Sequence, residues 1–181
     1  MYNLKKRIAS TITVGFISII VTCVATMTES KILKEKQILP TLTGKSLPRF
    51  GSLRANVVNL RRGPGVRYPV DWVYKSKYLP VEIIAEFKNW RKVRDVEGTQ
   101  GWIHQSMLSS RRMFVIIGQM RTLRRTDESK SSAVAKLDTN VIGELKQCPA
   151  SSGWCKVSVG GHKGWLRRVD FWGVYAKETI K

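Results

Sequence analysis

From residue 49 onward, apolar side chains recur at every second position in short runs broken by turn-forming residues. That period predicts β-strands and gives neither half of the region a sustained helix. In residues 79–87, Val81, Ile83, Ala85 and Phe87 alternate with Glu82, Ile84 and Glu86. After Lys88-Asn89 the pattern resumes over 90–96, so the segment reads as a hairpin. Residues 97–101 turn the chain into Trp102-Ile103-His104, and a single helical turn fits at 105–108. The same arrangement returns in 141–148, in 154–159, and, after Gly160-Gly161, in Trp165-Leu166. Strands this short, about five in roughly 60 residues, bury a core only by curling into a small barrel or sandwich.

The second half repeats the first. Leu60-Arg61-Arg62 recurs 63 residues later as Leu123-Arg124-Arg125. Trp90-Arg91-Lys92-Val93 recurs 64 residues later as Trp154-Cys155-Lys156-Val157, and Gly101-Trp102-Ile103 returns at 63 as Gly164-Trp165-Leu166. Three matches in one order establish two copies of one unit. The predicted fold is all-β: two tandem small barrels, the first over 49–118 and a more divergent second over 119–181. Barrels of this size are marginal alone. Residues 113–117, Met-Phe-Val-Ile-Ile, are therefore expected to form the last strand of the first barrel and to stiffen the pair.

The turn at 59–72 carries the candidate site. Gly63-Pro64-Gly65 places a fixed φ between two residues free to take positive φ, so the backbone reverses there. Arg61 and Arg62 precede the reversal, Tyr68 and Trp72 follow it, and Arg-Arg pairs recur at 111–112, 124–125 and 167–168. On a strand each pair directs one guanidinium outward, where it can grip a carboxylate or phosphate through two parallel hydrogen bonds. Tyr68, Trp72, Tyr74 and Trp90 are expected to line a ligand groove, with Arg61, Arg62 and Arg67 on its rim; Trp102 is expected in the core. Taken singly, each aromatic also fits an ordinary packing role.

The start of the chain sets the compartment. Lys5-Lys6-Arg7 precede an uncharged stretch over 8–27, and Cys23-Val24-Ala25 offers small residues where a signal peptidase cuts. Residues 1–25 are read as a signal peptide cleaved after Ala25, with an uncleaved inner-membrane anchor as the alternative, because about 20 uncharged residues just span a bilayer. Residues 26–48, Lys-rich and punctuated by Pro40, Gly44 and Pro48, read as a linker. The expected location is outside the cytoplasm, periplasmic or secreted, and a membrane is a partner only through an uncleaved N-terminus.

Charge narrows the partners. Thirty-two Lys and Arg against 13 Asp and Glu give +19. Only three of those charges lie in 1–25, so the basic character belongs to the remainder. It predicts attraction to an anionic polymer without specifying which. Cys148 and Cys155 flank the turn at 149–154 on adjacent strands, within disulfide reach, and an oxidising compartment would let the bond persist; free buried thiols are the alternative. Two Cys and two His, His104 and His162, do not assemble four zinc ligands. Neither histidine is spaced to serve a nucleophile, and the acids are dispersed. The chain is read as no enzyme, with no catalytic residue, metal or cofactor, and both histidines as surface residues.

Asn59-Leu60-Arg61-x-Gly63-Pro64-Gly65, then Trp90-x-Lys92-Val93, then Gly101-Trp102-Ile103, resembles the bacterial SH3 domain family, nearest to the tandem copies found in exported proteins. The likeness is strong over 50–118 and weaker over 119–175, where Thr126-Asp127-Glu128 replaces Gly-Pro-Gly. It implies small SH3-like barrels that bind and do not catalyse. The expected function is a binding module of the cell envelope recognising peptidoglycan peptide or an envelope protein. A nucleic-acid-binding role, which export makes awkward, and a secreted factor acting on a host protein are the alternatives.

Overall fold

The computed structural model describes residues 43–181, so the segment read as a signal or anchor and the linker up to residue 42 lie outside the described residues. The first seven strands are β1 (Arg49–Leu53), β2 (Val58–Arg61), β3 (Val70–Tyr74), β4 (Pro80–Phe87), β5 (Trp90–Arg94), β6 (Gln100–His104) and β7 (Leu108–Ser109). They form one antiparallel sheet ordered β3-β2-β6-β5-β4-β1-β7. The next seven are β8 (Met113–Ile116), β9 (Arg121–Arg124), β10 (Ala133–Leu137), β11 (Ile142–Gln147), β12 (Trp154–Val159), β13 (His162–Arg167) and β14 (Phe171–Trp172). Their order, β10-β9-β13-β12-β11-β8-β14, is the first sheet's order strand for strand. A 3-10 turn precedes the last strand of each, at Gln105–Met107 and Arg168–Asp170.

Each sheet curls around its own core. Leu53, Val58, Leu60, Val81, Val93 and Ile103 fill the first, and Phe114, Ile116, Leu123, Leu145, Val157 and Leu166 the second. The hydrogen-bonded order ends at β3 and β7, and at β10 and β14, so both sheets are open where closed barrels are expected. The strand at 113–116 also departs from expectation. It pairs with β11 and β14 in the second sheet, not with the first. Shifted back by 63 residues it coincides with β1: each copy begins with a strand upstream of its Asn-Leu-Arg or Thr-Leu-Arg motif.

Gly-Trp recurs because a glycine is needed where β2 crosses β6. A Cβ on Gly101 would sit 2.5 Å from Leu60 Cγ and 2.9 Å from the Arg61 carbonyl, and one on Gly164 would sit 2.6 Å from the Arg124 carbonyl and 2.7 Å from Leu123 Cγ. The next residue then faces outward, so Trp102, between Arg61 and Lys92 in the strand register, is half-buried instead of entering the core. Gly160-Gly161 adopts positive φ at both positions, 55° and 82°, and closes a two-residue hairpin between β12 and β13.

The copies are joined through aromatic and ionic contacts. The Phe50 ring of β1 meets Trp172 edge-on at 4.8 Å and Tyr175 at 4.7 Å, while Arg112 lies over it at 5.6 Å. The Tyr175 hydroxyl donates to Glu82 of β4 (2.7 Å), and Arg112 is paired with Glu178. The C-terminal tail is held from the other side by Arg168, whose guanidinium donates to the carbonyls of Pro149, Ser152, Tyr175 and Glu178. Cys148 and Cys155 are disulfide-bonded, with Cα atoms 4.4 Å apart.

Two outcomes follow. Gly101→Ala should lower unfolding free energy by about 1–3 kcal/mol through overpacking, whereas Gly153→Ala, whose Cβ meets nothing within 4 Å, should stay within about 0.5 kcal/mol; urea titration measures both. Burial pushes the Glu178 carboxyl up, but hydrogen bonds from Arg112 and from the Tyr175 N–H outweigh it and hold the group below its ordinary value. Its contribution is therefore present above the unfolded value, roughly 4.3, and is lost as pH falls through the lower folded value. Glu178→Gln should destabilise the protein at pH 7 and flatten the acid limb of its stability profile.

Candidate functional site

The loop between β2 and β3 is pinned from inside. Arg61 at the end of β2 donates Nη1 to the carbonyls of Val66 (3.1 Å) and Tyr68 (2.8 Å), and the Arg62 N–H bonds the Pro69 carbonyl. Neither Gly63 nor Gly65 takes positive φ. Gly63 is required for space: a Cβ there would enter the Tyr68 ring, which packs on it. The second copy makes the same turn without Gly-Pro-Gly. Arg124 donates Nη1 to the Ser131 carbonyl (2.7 Å), Arg125 N–H bonds Ser132, and the Tyr68-to-Gly65 hydrogen bond is reproduced from Ser131 to Glu128. Thr126 fits at the glycine's place because Ser131 stands at the tyrosine's.

This loop forms one wall of a groove on the first sheet. One part, about 230 Å³, lies among Val57, Asn59, Arg61, Val66, Trp90, His104 and Met107. It adjoins a second part of about 420 Å³ across Val66 and Trp90, where Gly65, Arg67, Phe87 and Lys88 contribute. Trp90 stands between the two. His104 meets it edge-on at 5.4 Å and is held by Ser106 at 2.7 Å from Nδ1. Val57, Val66, Phe87 and Met107 leave 60, 79, 46 and 37% of their surfaces exposed, a concentration of apolar area around one indole.

The residues singled out in the sequence separate onto different surfaces. Arg61, Arg67 and Trp90 line this groove, and Tyr68 supports its loop, with Arg67 over its ring at 5.5 Å. Arg62 points to Asp71 in an exposed ion pair of 2.9 Å. Trp72 and Tyr74 lie elsewhere, in a cleft of about 390 Å³ bounded by Asp95 of the first copy and by Val115, Asn140 and Ile142 of the second. Trp72 is exposed, whereas Tyr74 is buried and donates to Asp95 (2.8 Å); burial, reinforced by that carboxylate, pushes the phenol well above its ordinary value, so it stays a neutral donor. Asp95 in turn accepts from the N–H groups of Glu97 and Thr99, making the pair part of the turn after β5.

Val57, Asn59, Val66, His104 and Met107 escaped the sequence reading. The repeat was the signal that could have found them. Offsets of 63 and 64 carry Arg61 and Trp90 onto Arg124 and Trp154, which face each other across a cavity of about 250 Å³ in the second sheet. The same offsets carry Val57, Val66, His104 and Met107 onto Met120, Ser129, Arg167 and Asp170, all in its walls. One site is thus built twice, with different chemistry around a shared Arg and Trp. A separate cavity beside β1, about 360 Å³, presents Arg49 and Arg91, but both converge on Glu86, whose side chain is 2% exposed. Among the described residues no group of three or more His, Cys, Asp or Glu is placed to hold a metal ion.

A family model described as bacterial SH3 domain matches the chain twice, over residues 54–110 and 118–173. Among solved structures, NlpC2 from Trichomonas vaginalis is 13% identical with a TM-score of 0.32, over 69% of this chain and 48% of that one. An NlpC/P60 family protein from Bacillus cereus is 13% identical with a TM-score of 0.31, over 68% of this chain and 55% of that one. The chain covers about half the length of each. No curated protein matches it.

Gly63 and Tyr68 should behave as a coupled pair. Gly63→Ala alone is expected to destabilise by about 1–3 kcal/mol. In the background of Tyr68→Ser, which reproduces the second copy's pairing, the same change should cost at least about 1 kcal/mol less, as measured by a double-mutant cycle in urea.

Proposed function

The chain belongs to the bacterial SH3 domain family, in two tandem copies, and from that premise we propose that it is a non-catalytic binding module of the bacterial cell envelope. In this reading each copy is an SH3-like sheet curled around its own core and open at its edges, and the Trp90 groove is the ligand surface of the first. Its ligand is a peptide-bearing envelope component, with peptidoglycan stem peptides first in line.

The observation that carries the proposal is the exposed apolar rim gathered about Trp90 beside Arg67 and Lys88. An indole flanked by valine and methionine side chains suits small apolar side chains on an extended backbone, and cations at the edge suit carboxylates. Arg61 serves indirectly in this scheme, since its Nη1 is engaged by the loop it supports. Trp72 and Tyr74, in their separate cleft, take no part. The Cys148–Cys155 disulfide fits an extracellular or envelope location, because such bonds persist in oxidising compartments.

Co-sedimentation of the purified chain with isolated peptidoglycan at physiological salt tests the reading. The chain is expected to be retained, Trp90→Ala to weaken retention at least tenfold with an unchanged circular dichroism spectrum, and Trp72→Ala to leave it intact. Competing single-stranded DNA should not displace the chain. Retention indifferent to Trp90, or erased by DNA, would reduce the attraction to charge alone and overturn the proposal.

A further inference from the structure

The second-copy cavity has kept the arginine and the indole of the first while its surroundings have become ionic. Arg121, Arg124 and Arg167 line it with Trp154, and the one carboxylate among them is Asp170. Asp170 is buried, and its oxygens are already committed to Arg167, at 3.2 Å from Nε and Nη2, and to Arg121, at 3.2 Å from Nη1. Three guanidinium groups against one carboxylate leave the cavity short of negative charge. Arg124 is the guanidinium of the three that has no carboxylate partner among the described residues, its Nη1 donating to the Ser131 carbonyl (2.7 Å).

We propose that this cavity is a second, separate binding site, for a carboxylate at the end of a peptide. Arg124, whose Nη1 is anchored on the Ser131 carbonyl, presents its remaining N–H groups from a fixed position, and the half-exposed Arg167 adds an Nη1 that takes no part in its pair with Asp170. A planar carboxylate matches such a fork through paired hydrogen bonds. The Trp154 indole gives the adjoining peptide unit a flat apolar surface. Size suits a small ligand group: about 250 Å³ lies below the roughly 300–1,000 Å³ of ordinary small-molecule sites, so a chain end fills the cavity. Asp170 disfavours a dianion, which would be brought against a buried carboxylate. The inference is independent of the ligand assigned to the Trp90 groove, because none of its residues is shared with that groove.

The test is a 15N NMR titration of the full chain with three probes at matched ionic strength: N-acetyl-Ala-Ala with a free carboxylate, its C-terminal amide, and inorganic phosphate. The acid should shift the Trp154 indole N–H saturably, and the amide and phosphate should bind at least tenfold more weakly. Arg124→Lys, which keeps the charge and removes the fork, should weaken the acid at least tenfold, while Arg125→Lys on the exposed neighbour should not. Arg167→Gln, at the half-exposed edge, supplies a second variant if Arg124→Lys disturbs the fold, and it should also weaken the acid. Equal binding of acid and amide, phosphate binding as tightly as the acid, no saturable shift, or indifference to both Arg124 and Arg167 would each overturn the proposal.

Discussion

A guanidinium bound to carbonyls of its own loop is the interaction on which the groove wall of each copy depends. Arg61 and Arg124 end equivalent strands, and each reaches over the following loop to hold the carbonyl at residue 68 or 131. Hydrogen bonds from a charged donor contribute about 1.5–3 kcal/mol, enough to fix a loop that has no strand pairing of its own. Once the loop is fixed, so is the wall facing Trp90 or Trp154. This explains why loop composition can change so far between copies. The turn relies on the arginine and on backbone hydrogen bonds, not on glycine conformations, so Gly63-Pro64-Gly65 and Thr126-Asp127-Glu128 trace equivalent paths.

Beneath that interaction lies a steric constraint. The arginine reaches its carbonyls only if β2 lies tight on β6 and β9 on β13, and the Cβ-free contacts at Gly101 and Gly164 permit it. Trp102 and Trp165, next in sequence, are turned out of the core by the same register and stand opposite Arg61 and Arg124. The contacts of Phe50 with Trp172 and Tyr175, and of Tyr175 with Glu82, then couple the sheets without touching either groove. The cavities at the loop end of each copy are left open, and the aromatic area lies at the junction instead.

Periodicity, turns and the internal repeat made much of the architecture legible: strand content, the hairpin at Lys88-Asn89, the Gly160-Gly161 turn, the 3-10 turn before β7 and the Cys148–Cys155 bond all follow from local spacing. What was not legible depended on partners remote in sequence. The apolar run at 113–116 is a strand by its own pattern, but nothing in that pattern says whether it pairs backward or with residues near Ile142. His104 looked like a surface residue beside a turn, and only the β5–β6 register, which sets it opposite Trp90, turns it into a groove wall. Trp72 and Tyr74 were grouped with Trp90 because they follow the same turn; β3 is an edge strand, and its register against β2 carries them away. The loop glycines misled for a different reason. Glycine is read as conformational freedom by default, whereas here the Tyr68 ring needs the volume.

The divergence of the copies extends below the surface. In the first, Arg91 is buried, donates to the carbonyls of Lys88 and Trp90, and reaches Gln105 at 2.7 Å in the following 3-10 turn. In the second, the repeat places Cys155 at the position of Arg91 and Arg168 at that of Gln105. The contact pair has exchanged roles: the strand position gave up its guanidinium and acquired a disulfide, and the turn position took the buried cation. Arg168 now binds four backbone carbonyls, two from the disulfide-linked hairpin and two from the C-terminal tail. A buried guanidinium is costly unless its donors are met: Arg91 has Glu86 at 3.3 Å as well as its carbonyls, whereas the second copy has Pro149 or Ala150 at the place of that carboxylate and meets its cation with carbonyls at the turn position instead. That exchange keeps the tail, the disulfide and the junction with the first copy as one block, while the groove above them remains free to carry a different set of charges.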